Sequence, residues 1–242
     1  MALELEFIGH ASFRFWEDER PVLITDPYTH EALKIPFDGK MLDADTVIVS
    51  SLTDRGHDNV QWVQGNPRII NAYDLACGKG QTTINGEPVI TVEAAEIADH
   101  PEGTDPNALY AFKMGGLWFT HMGDLGFGLS DDRIAPFKGR CDVLFALVGE
   151  NLTLKLEELD PMIEYLQPKW IFPMHYEIPP VEGWMSRVDR FLEYRKNDPV
   201  MVVRHHTVTL PLARLSPDRP TIVVLEPSSF AVTGGMVAFT TT

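Results

Sequence analysis

The chain has 242 residues, of which 44% are hydrophobic and 23% charged, and its formal net charge is −15. This acidity argues against a nucleic-acid partner, which needs clustered lysines and arginines, and the two cysteines, Cys77 and Cys141, suggest neither a disulfide framework nor a metal motif. No apolar run approaches the about 20 residues of a membrane span and no signal peptide is visible, so we expect a cytoplasmic enzyme or binding protein without a membrane partner.

Strand patterns dominate the first half of the chain. Alternating or continuous apolar runs predict strands at residues 3–7, 11–16, 21–25 and 46–50. A short helix is predicted at 59–63, and a second at 72–77, directly before Gly78. The opening strands therefore follow one another as a meander.

Strands and helices alternate in the second half. Apolar runs predict strands at residues 108–114, 117–120, 143–148, 170–174, 200–204 and 221–225. Helical stripes run through 153–166, despite Pro161, and through 184–194. No repeat or linker composition divides the chain, so we expect residues 1–242 to form a single α/β domain with mixed sheets covered by helices.

Residues that can bind a metal follow several of these strands. Asp and neutral His are ligands that catalytic zinc sites combine, and strand ends in open α/β sheets line the ligand crevice. The alternative for each residue alone is a hydrogen-bonded loop or capping side chain. Five such positions along the chain, which include Asp26, His57, His100, Asp124 and His175, fit a metal site whose ligands come from several strand ends.

Five motifs resemble those of the metallo-β-lactamase superfamily, and within it the ascorbate-6-phosphate lactonase-type branch. They are Phe-Ile-Gly-His-Ala-Ser-Phe at 7–13, Leu-Ile-Thr-Asp-Pro at 23–27, His-Met-Gly-Asp at 121–124, the strand at 142–149 that runs from an Asp to a Gly, and Pro-Met-His-Tyr at 173–176. The resemblance covers roughly residues 3–180. It implies a four-layer αβ/βα sandwich, in which two mixed β-sheets pack face to face and helices cover the outer faces.

The same resemblance implies a function. A metal-dependent hydrolase of this type would use a metal-activated water on a small ester, lactone or phosphorylated substrate. The family counterpart of Asp124 bridges two metals, His175 corresponds to the last ligand, and His100 falls where the third ligand motif is expected. These assignments come from the resemblance, which also implies that Asp26, His57, His100, Asp124 and His175 converge at one sheet edge.

The chain departs from the family in the loop after the strand at 46–50, which we call loop 51–58. The family reads His-x-His-x-Asp-His there, whereas an ungapped match puts Ser51, Thr53, Arg55 and Gly56 at the corresponding positions. Serine and threonine hydroxyls do not replace imidazoles as zinc ligands. The first two histidine ligands, and with them most of one metal site, are therefore missing.

A shifted loop 51–58 could still present an Asp and a His. We therefore expect at most one divalent ion per chain, zinc or manganese. The expected ligands are His57, Asp124 and His175, with His100 either joining by rearrangement or left out, and with Asp54 or Asp58 as a further ligand or general base. The alternative is a degenerate family member that binds a ligand or partner without catalysis; a homo-oligomer is compatible with either.

Other polar residues have a structural interpretation. We expect His10 to orient the first hairpin rather than bind metal, and the pair at 205–206 to lie in a strand. His121 is expected behind the ligands, hydrogen-bonded to one of them, while His30 is a loop residue without an identifiable partner. Tyr176 either donates to a substrate oxygen or simply packs.

Overall fold

The computed structural model describes residues 2–35, 37–54, 56–96, 105–151, 153–179 and 183–229. The strands of the first half are β1 (Leu3–Gly9), β2 (Ser12–Glu17), β3 (Arg20–Thr25), β4 (Leu42–Asp43), β5 (Thr46–Val49), β6 (Val63–Gln64), β7 (Arg68–Asn71), β8 (Thr83–Ile84), β9 (Glu87–Pro88) and β10 (Ile90–Ala95). Those of the second half are β11 (Pro106–Met114), β12 (Leu117–His121), β13 (Val143–Leu147), β14 (Trp170–Met174), β15 (Val200–Val203), β16 (Thr207–Leu210) and β17 (Thr221–Leu225).

Helices are fewer than strands in the described residues. They are α1 (His30–Leu33), α2 (Ala72–Ala76), α3 (Asp131–Ile134), α4 (Leu156–Leu166) and α5 (Val188–Tyr194), with single 3-10 turns at Val60–Trp62 and Ala135–Phe137. Within the described ranges, no helix is long and apolar enough to cross a bilayer.

Two mixed sheets contain most of the strands. The first has the order β16-β1-β2-β3-β5-β7, and the second has the order β10-β11-β12-β13-β14-β17-β15. In the first sheet, β1, β2 and β3 form the predicted antiparallel meander, and β5 and β7 then join β3 in parallel. In the second, β12, β13 and β14 are parallel neighbours, so their C-terminal ends lie at the same edge.

Phenylalanine side chains fill the space between the sheets. The ring of Phe13 from β2 stacks on that of Phe145 from β13 with centroids 4.1 Å apart, and Phe15 meets Phe119 edge-on at 4.9 Å. Each such pair contributes about 0.5–1.5 kcal/mol beyond the burial of its area. Because strand side chains alternate between faces, these residues point inward while their neighbours point outward.

The outward faces are covered as well. Ile8, Ile24, Val47 and Val49 point away from the central core and join a second cluster with Trp62. On the other sheet, α4 buries one stripe of its surface: Leu156, Leu159, Met162, Ile163 and Leu166. The predicted arrangement, two mixed sheets packed face to face with helices outside, is confirmed.

Several local predictions were wrong. The histidine pair at 205–206 lies in the bend between β15 and β16 rather than in a strand. The helix predicted at 59–63 is a single 3-10 turn, and the helix predicted from residue 184 begins at Val188. Strands β7, β10 and β16 were not predicted, and neither were the two-residue strands β4, β6, β8 and β9. Strand β10 has only one buried residue, so its apolar pattern is weak.

Candidate metal centre

The candidate site lies where strands of both sheets end. His10 follows β1, Asp26 follows β3, His57 lies in loop 51–58 after β5, Asp124 follows β12 and His175 follows β14. The two sheets are joined at this edge, since the backbone N–H of His175 donates a 2.8 Å hydrogen bond to the carbonyl oxygen of His10. The expected convergence of Asp26, His57, Asp124 and His175 is therefore observed, while His100 lies outside the described residues.

His57 is buried at the centre of the site. Its Nδ1 lies 2.9 Å from Oδ2 of Asp26, and its Nε2 lies 3.5 Å from Oδ2 of Asp124. Burial disfavours the charged ring, but the carboxylates of Asp54 and Asp124 outweigh burial and hold the pKa of His57 well above its ordinary value. Metal binding to a protonated histidine releases the proton. A divalent ion that replaced the proton on His57 would be attracted by the same two carboxylates, those of Asp54 and Asp124.

Asp26 fixes the orientation of the His57 ring. Its Oδ1 accepts hydrogen bonds from the backbone N–H of Ser50 at 2.8 Å and from the hydroxyl of Tyr110 at 3.1 Å. Burial raises the pKa of Asp26, but His121, His57 and the Ser50 N–H together lower it below the ordinary value. The ionised carboxylate then accepts the Nδ1 proton of His57, the arrangement that orients metal-binding histidines.

Asp124 and His175 face each other across the site. Oδ1 of Asp124 lies 3.3 Å from Nε2 of His175, and the backbone N–H of Asp124 donates to Oδ1 of Asn107 at 3.0 Å. Burial lowers the pKa of His175 to about 4, against the opposing effect of Asp124. For Asp124, burial acts upward, but His175 and His57 make the net pKa shift downward. Both groups are thus in the protonation states that bind metal.

The turns that present these side chains have unusual backbone conformations. His10, Asp26 and His175 have φ values of 53°, 35° and 55°, which non-glycine residues adopt uncommonly and which concentrate at functional sites. Gly123, at φ 60°, precedes Asp124, and a Cβ there would overlap Oδ1 of Asn107. The expectation that Gly123 permits a tight turn therefore fits the backbone.

His121 lies behind the site and has no free nitrogen. Its Nδ1 accepts the backbone N–H of Gly123 at 3.0 Å, so the protonated Nε2 donates to the carbonyl oxygen of Ala11 at 2.9 Å. It also approaches Oδ2 of Asp26 to 3.7 Å. His121 therefore supports the turn before Asp124 through backbone groups, rather than through the bond to a ligand that we expected.

Two further carboxyl groups reach the site. Burial and Asp124 raise the pKa of Asp54 to about 6, with His57 acting in the opposite direction. Glu96, which the sequence reasoning missed, is half-buried, and burial followed by Asp124 and Asp54 raises its pKa to about 8. It follows an edge strand of weak pattern, so no local signal pointed to it.

Two groups of side chains are spaced to hold a metal ion. They are His10, His57 and His175, and Asp54, His57 and Asp124; in each, the ligand atoms lie within 4.8 Å of one another. Nε2 of His57 and Oδ1 of Asp124 are buried without a hydrogen-bond partner among the described residues, and such atoms are costly unless something binds them. The residues present therefore fit a divalent ion. Neither group includes Asp58.

Other predicted positions have structural roles. The hydroxyls of Ser51 and Thr53 hydrogen-bond each other at 2.9 Å, at the positions where the resemblance implied imidazoles. Tyr176 is buried and stacks on Phe7 with centroids 6.4 Å apart, so it packs. His30 begins α1 and contacts Trp62, with ring centroids 4.2 Å apart.

Known proteins share this architecture. Residues 4–175 match the family described as "Beta-lactamase superfamily domain". Two proteins named UPF0173 metal-dependent hydrolases, from Pyrococcus horikoshii and Pyrococcus abyssi, are 27% and 25% identical over 205 residues, which cover 75% of this chain and 88% of each relative.

Solved structures give the same result. A candidate zinc-dependent hydrolase of the metallo-beta-lactamase superfamily from Thermotoga maritima has a TM-score of 0.65 and 25% identity, covering 92% of this chain and 98% of that one. Igni18, a metallo hydrolase from Ignicoccus hospitalis, has a TM-score of 0.59 and 17% identity, covering 88% and 100%. The second likeness is one of fold alone.

Proposed function

This chain belongs to the metallo-beta-lactamase superfamily, and on that premise we propose that it is a metal-dependent hydrolase whose catalytic ion is held by His57, Asp124 and His175. The observation that carries the proposal is the convergence of their side chains, with Asp124 lying 3.5 Å from His57 and 3.3 Å from His175. Nitrogen and carboxylate ligands of this kind suit zinc, with manganese as the alternative. Such an ion lowers the pKa of a bound water toward neutrality and polarises the bond under attack.

Asp54 is the residue that we propose as general base or further ligand. Its Oδ2 lies 3.8 Å from Nε2 of His57, and burial raises its pKa to about 6. A general base acts best when its pKa lies near the working pH, since much of it is then ionised while it is still basic enough to accept a proton. Asp58, the other expected base, belongs to neither metal-compatible group, so Asp54 is favoured.

The substrate that we propose is a small ester, a lactone or a phosphorylated compound. Support comes from the resemblance to the lactonase-type branch, which is named for a lactone that carries a phosphate group. The carboxyl groups of Asp54, Glu96 and Asp124 act on one another strongly enough to shift their pKa values. A divalent ion bound among them would offset this negative charge, so the charges at the site leave all three substrate classes open.

A second candidate function is non-catalytic binding. It is favoured by loop 51–58, where Ser51 and Thr53 stand in place of two imidazoles of the family loop and hydrogen-bond each other. A degenerate member of this kind would keep the fold and bind a small molecule without turning it over. The two candidates differ in metal content and in turnover.

The test uses protein purified without chelator. Metal content is measured together with hydrolysis of a panel of lactones, carboxylic esters and phosphate esters. The proposal predicts one divalent ion per chain and turnover of at least one lactone or ester, both lost in His175→Ala and kept in His206→Ala, a histidine outside the site. Absence of both metal and turnover in the wild-type protein would favour the non-catalytic alternative.

A further inference from the structure

The side chain of His10 lies beside two of the proposed metal ligands, His57 and His175. Its ring centroid is 4.0 Å from that of His175 and 5.2 Å from that of His57. The ligand nitrogens of these three buried rings all lie within 4.8 Å of one another. Three imidazoles this close are the nitrogen set of a catalytic zinc site.

The turn at His10 requires a particular backbone conformation but does not require an imidazole side chain. Gly9 has a φ of 143°, and the register of β1 and β2 shifts between Phe7 and Gly9, so the chain bends sharply there. The carbonyl of His10 then accepts the N–H of His175. Any residue supplies that carbonyl, and asparagine or glycine would adopt the φ of 53° at lower cost. The imidazole therefore needs a separate explanation.

Gly56 of loop 51–58 lies next to the ring of His10. Gly56 stands where an ungapped match puts the last histidine of the family loop, and a Cβ at Gly56 would lie 3.8 Å from Nε2 of His10. The backbone N–H of Gly56 donates a 2.8 Å hydrogen bond to Oδ1 of Asp54, which holds Gly56 beside this ring. The loop thus lacks an imidazole at position 56, and the ring of His10 lies next to that position.

We propose that His10 is a direct ligand of the divalent ion, supplying from the first hairpin an imidazole that loop 51–58 lacks. The proposal rests on the metal-dependent function argued above. It gives the ion three imidazoles, from His10, His57 and His175, together with the carboxylate of Asp124. A site assembled in this way keeps its nitrogen ligands although two of the family's histidines are absent.

Three measurements on the full chain test the proposal. X-ray absorption of the zinc-loaded wild-type protein should report three imidazole ligands. In His10→Asn, which suits a positive φ, it should report two, and zinc affinity measured against a chelator should fall by at least the about 10–100-fold that loss of an outer-shell partner costs. His30→Asn, a buried histidine away from the site, is the matched control and should change neither.

A cysteine at position 10 tests the same ligand position through a new absorption band. In cobalt-substituted His10→Cys, a thiolate-to-cobalt charge-transfer band should appear, whereas His30→Cys and the wild-type protein should lack it. Two imidazoles in the wild-type protein, or an unchanged affinity and spectrum in both His10 variants, would overturn the proposal while leaving the hydrolase function intact. A wild-type protein that binds no divalent ion would overturn both.

Discussion

Nδ1 of His57 lies 2.9 Å from Oδ2 of Asp26, which leaves Nε2 as the one nitrogen of this ring that can face a metal. Nε2 is buried without a hydrogen-bond partner among the described residues. Both metal-compatible groups include His57. Nε2 of His57 has a single lone pair, which can bind a single ion. The two groups therefore belong to one metal centre rather than to two separate sites.

The first prediction concerns metal count. We expect at most one tightly bound divalent ion per chain, because the shared Nε2 of His57 cannot serve two ions and because Ser51 and Thr53 supply no imidazole. Elemental analysis after extensive dialysis measures this directly. Two full equivalents retained per chain would mean that ligands other than those named here complete a second site.

The second prediction concerns Asp26. Replacing it in Asp26→Asn removes the charge that accepts the Nδ1 proton of His57, so metal affinity should fall about 10–100-fold, the usual effect of losing an outer-shell partner. Chelator competition measures the change. The control is Asp18→Asn, at an exposed turn residue with a φ of 51°, which should leave metal affinity unaltered. Equal metal affinities in the two variants would show that Asp26 does not support metal binding by His57.

The third prediction concerns Gly149. A Cβ at this position would overlap the carbonyl oxygen of His175, so Gly149→Ala should move the His175 backbone, weaken metal binding and cost roughly 1–3 kcal/mol of stability. Gly65→Ala is the comparison, since Gly65 has a φ of 85° but open space around its Cβ position. It should cost about 1–2 kcal/mol for the backbone alone and leave metal binding intact.

Denaturant unfolding and chelator competition on both glycine variants separate the two effects. If Gly149→Ala bound metal like the wild-type protein, the packing of Gly149 against His175 would not control the site.

The fourth prediction concerns pH and stability away from the site. Buried Glu6 accepts hydrogen bonds from Nε and one terminal nitrogen of Arg14 at 2.8 and 3.2 Å. Burial raises the pKa of Glu6, but Arg14, with Ser228 and Trp16, brings it below the ordinary value. A depressed pKa means that the stabilisation is complete above the pKa of the unfolded chain and is lost as pH falls through the folded pKa.

Glu6→Gln should therefore unfold at lower denaturant concentration than the wild-type protein at pH 7, by roughly 1–3 kcal/mol. The difference should shrink below the ordinary glutamate pKa of about 4.3. Urea titrations at pH 7 and pH 3 measure both values. A difference that stayed constant across this range would show that the charge of Glu6 does not contribute.

Local sequence patterns were sufficient for most of the fold. The β1–β3 meander and the strands β13, β14 and β17 follow from apolar runs of ordinary length, because their burial is nearly continuous. Strand β16 was missed because it has four residues and only two of them are buried. Its place in the sheet comes from pairing with β1, which no local pattern encodes.

The candidate site was predictable in part. Asp124 and His175 follow strong strands, and the resemblance to a known family assigned them to a metal. His10 was assigned to the hairpin, since its approach to His175 depends on a left-handed turn and on a hydrogen bond between two sheets. Glu96 reaches Asp124 only through tertiary packing. Contacts of this kind depend on distant parts of the chain and leave no periodic signal.

The most direct test of the account is anomalous scattering from crystals of protein grown with zinc. Data on both sides of the zinc absorption edge should give one peak per chain, within about 2.0–2.3 Å of the His57, Asp124 and His175 ligand atoms. Asp124→Asn crystals grown in the same way should lack this peak while the surrounding strands are unchanged. A wild-type protein with no peak at this position, or with its zinc bound elsewhere, would contradict the claim that these three residues form the metal centre.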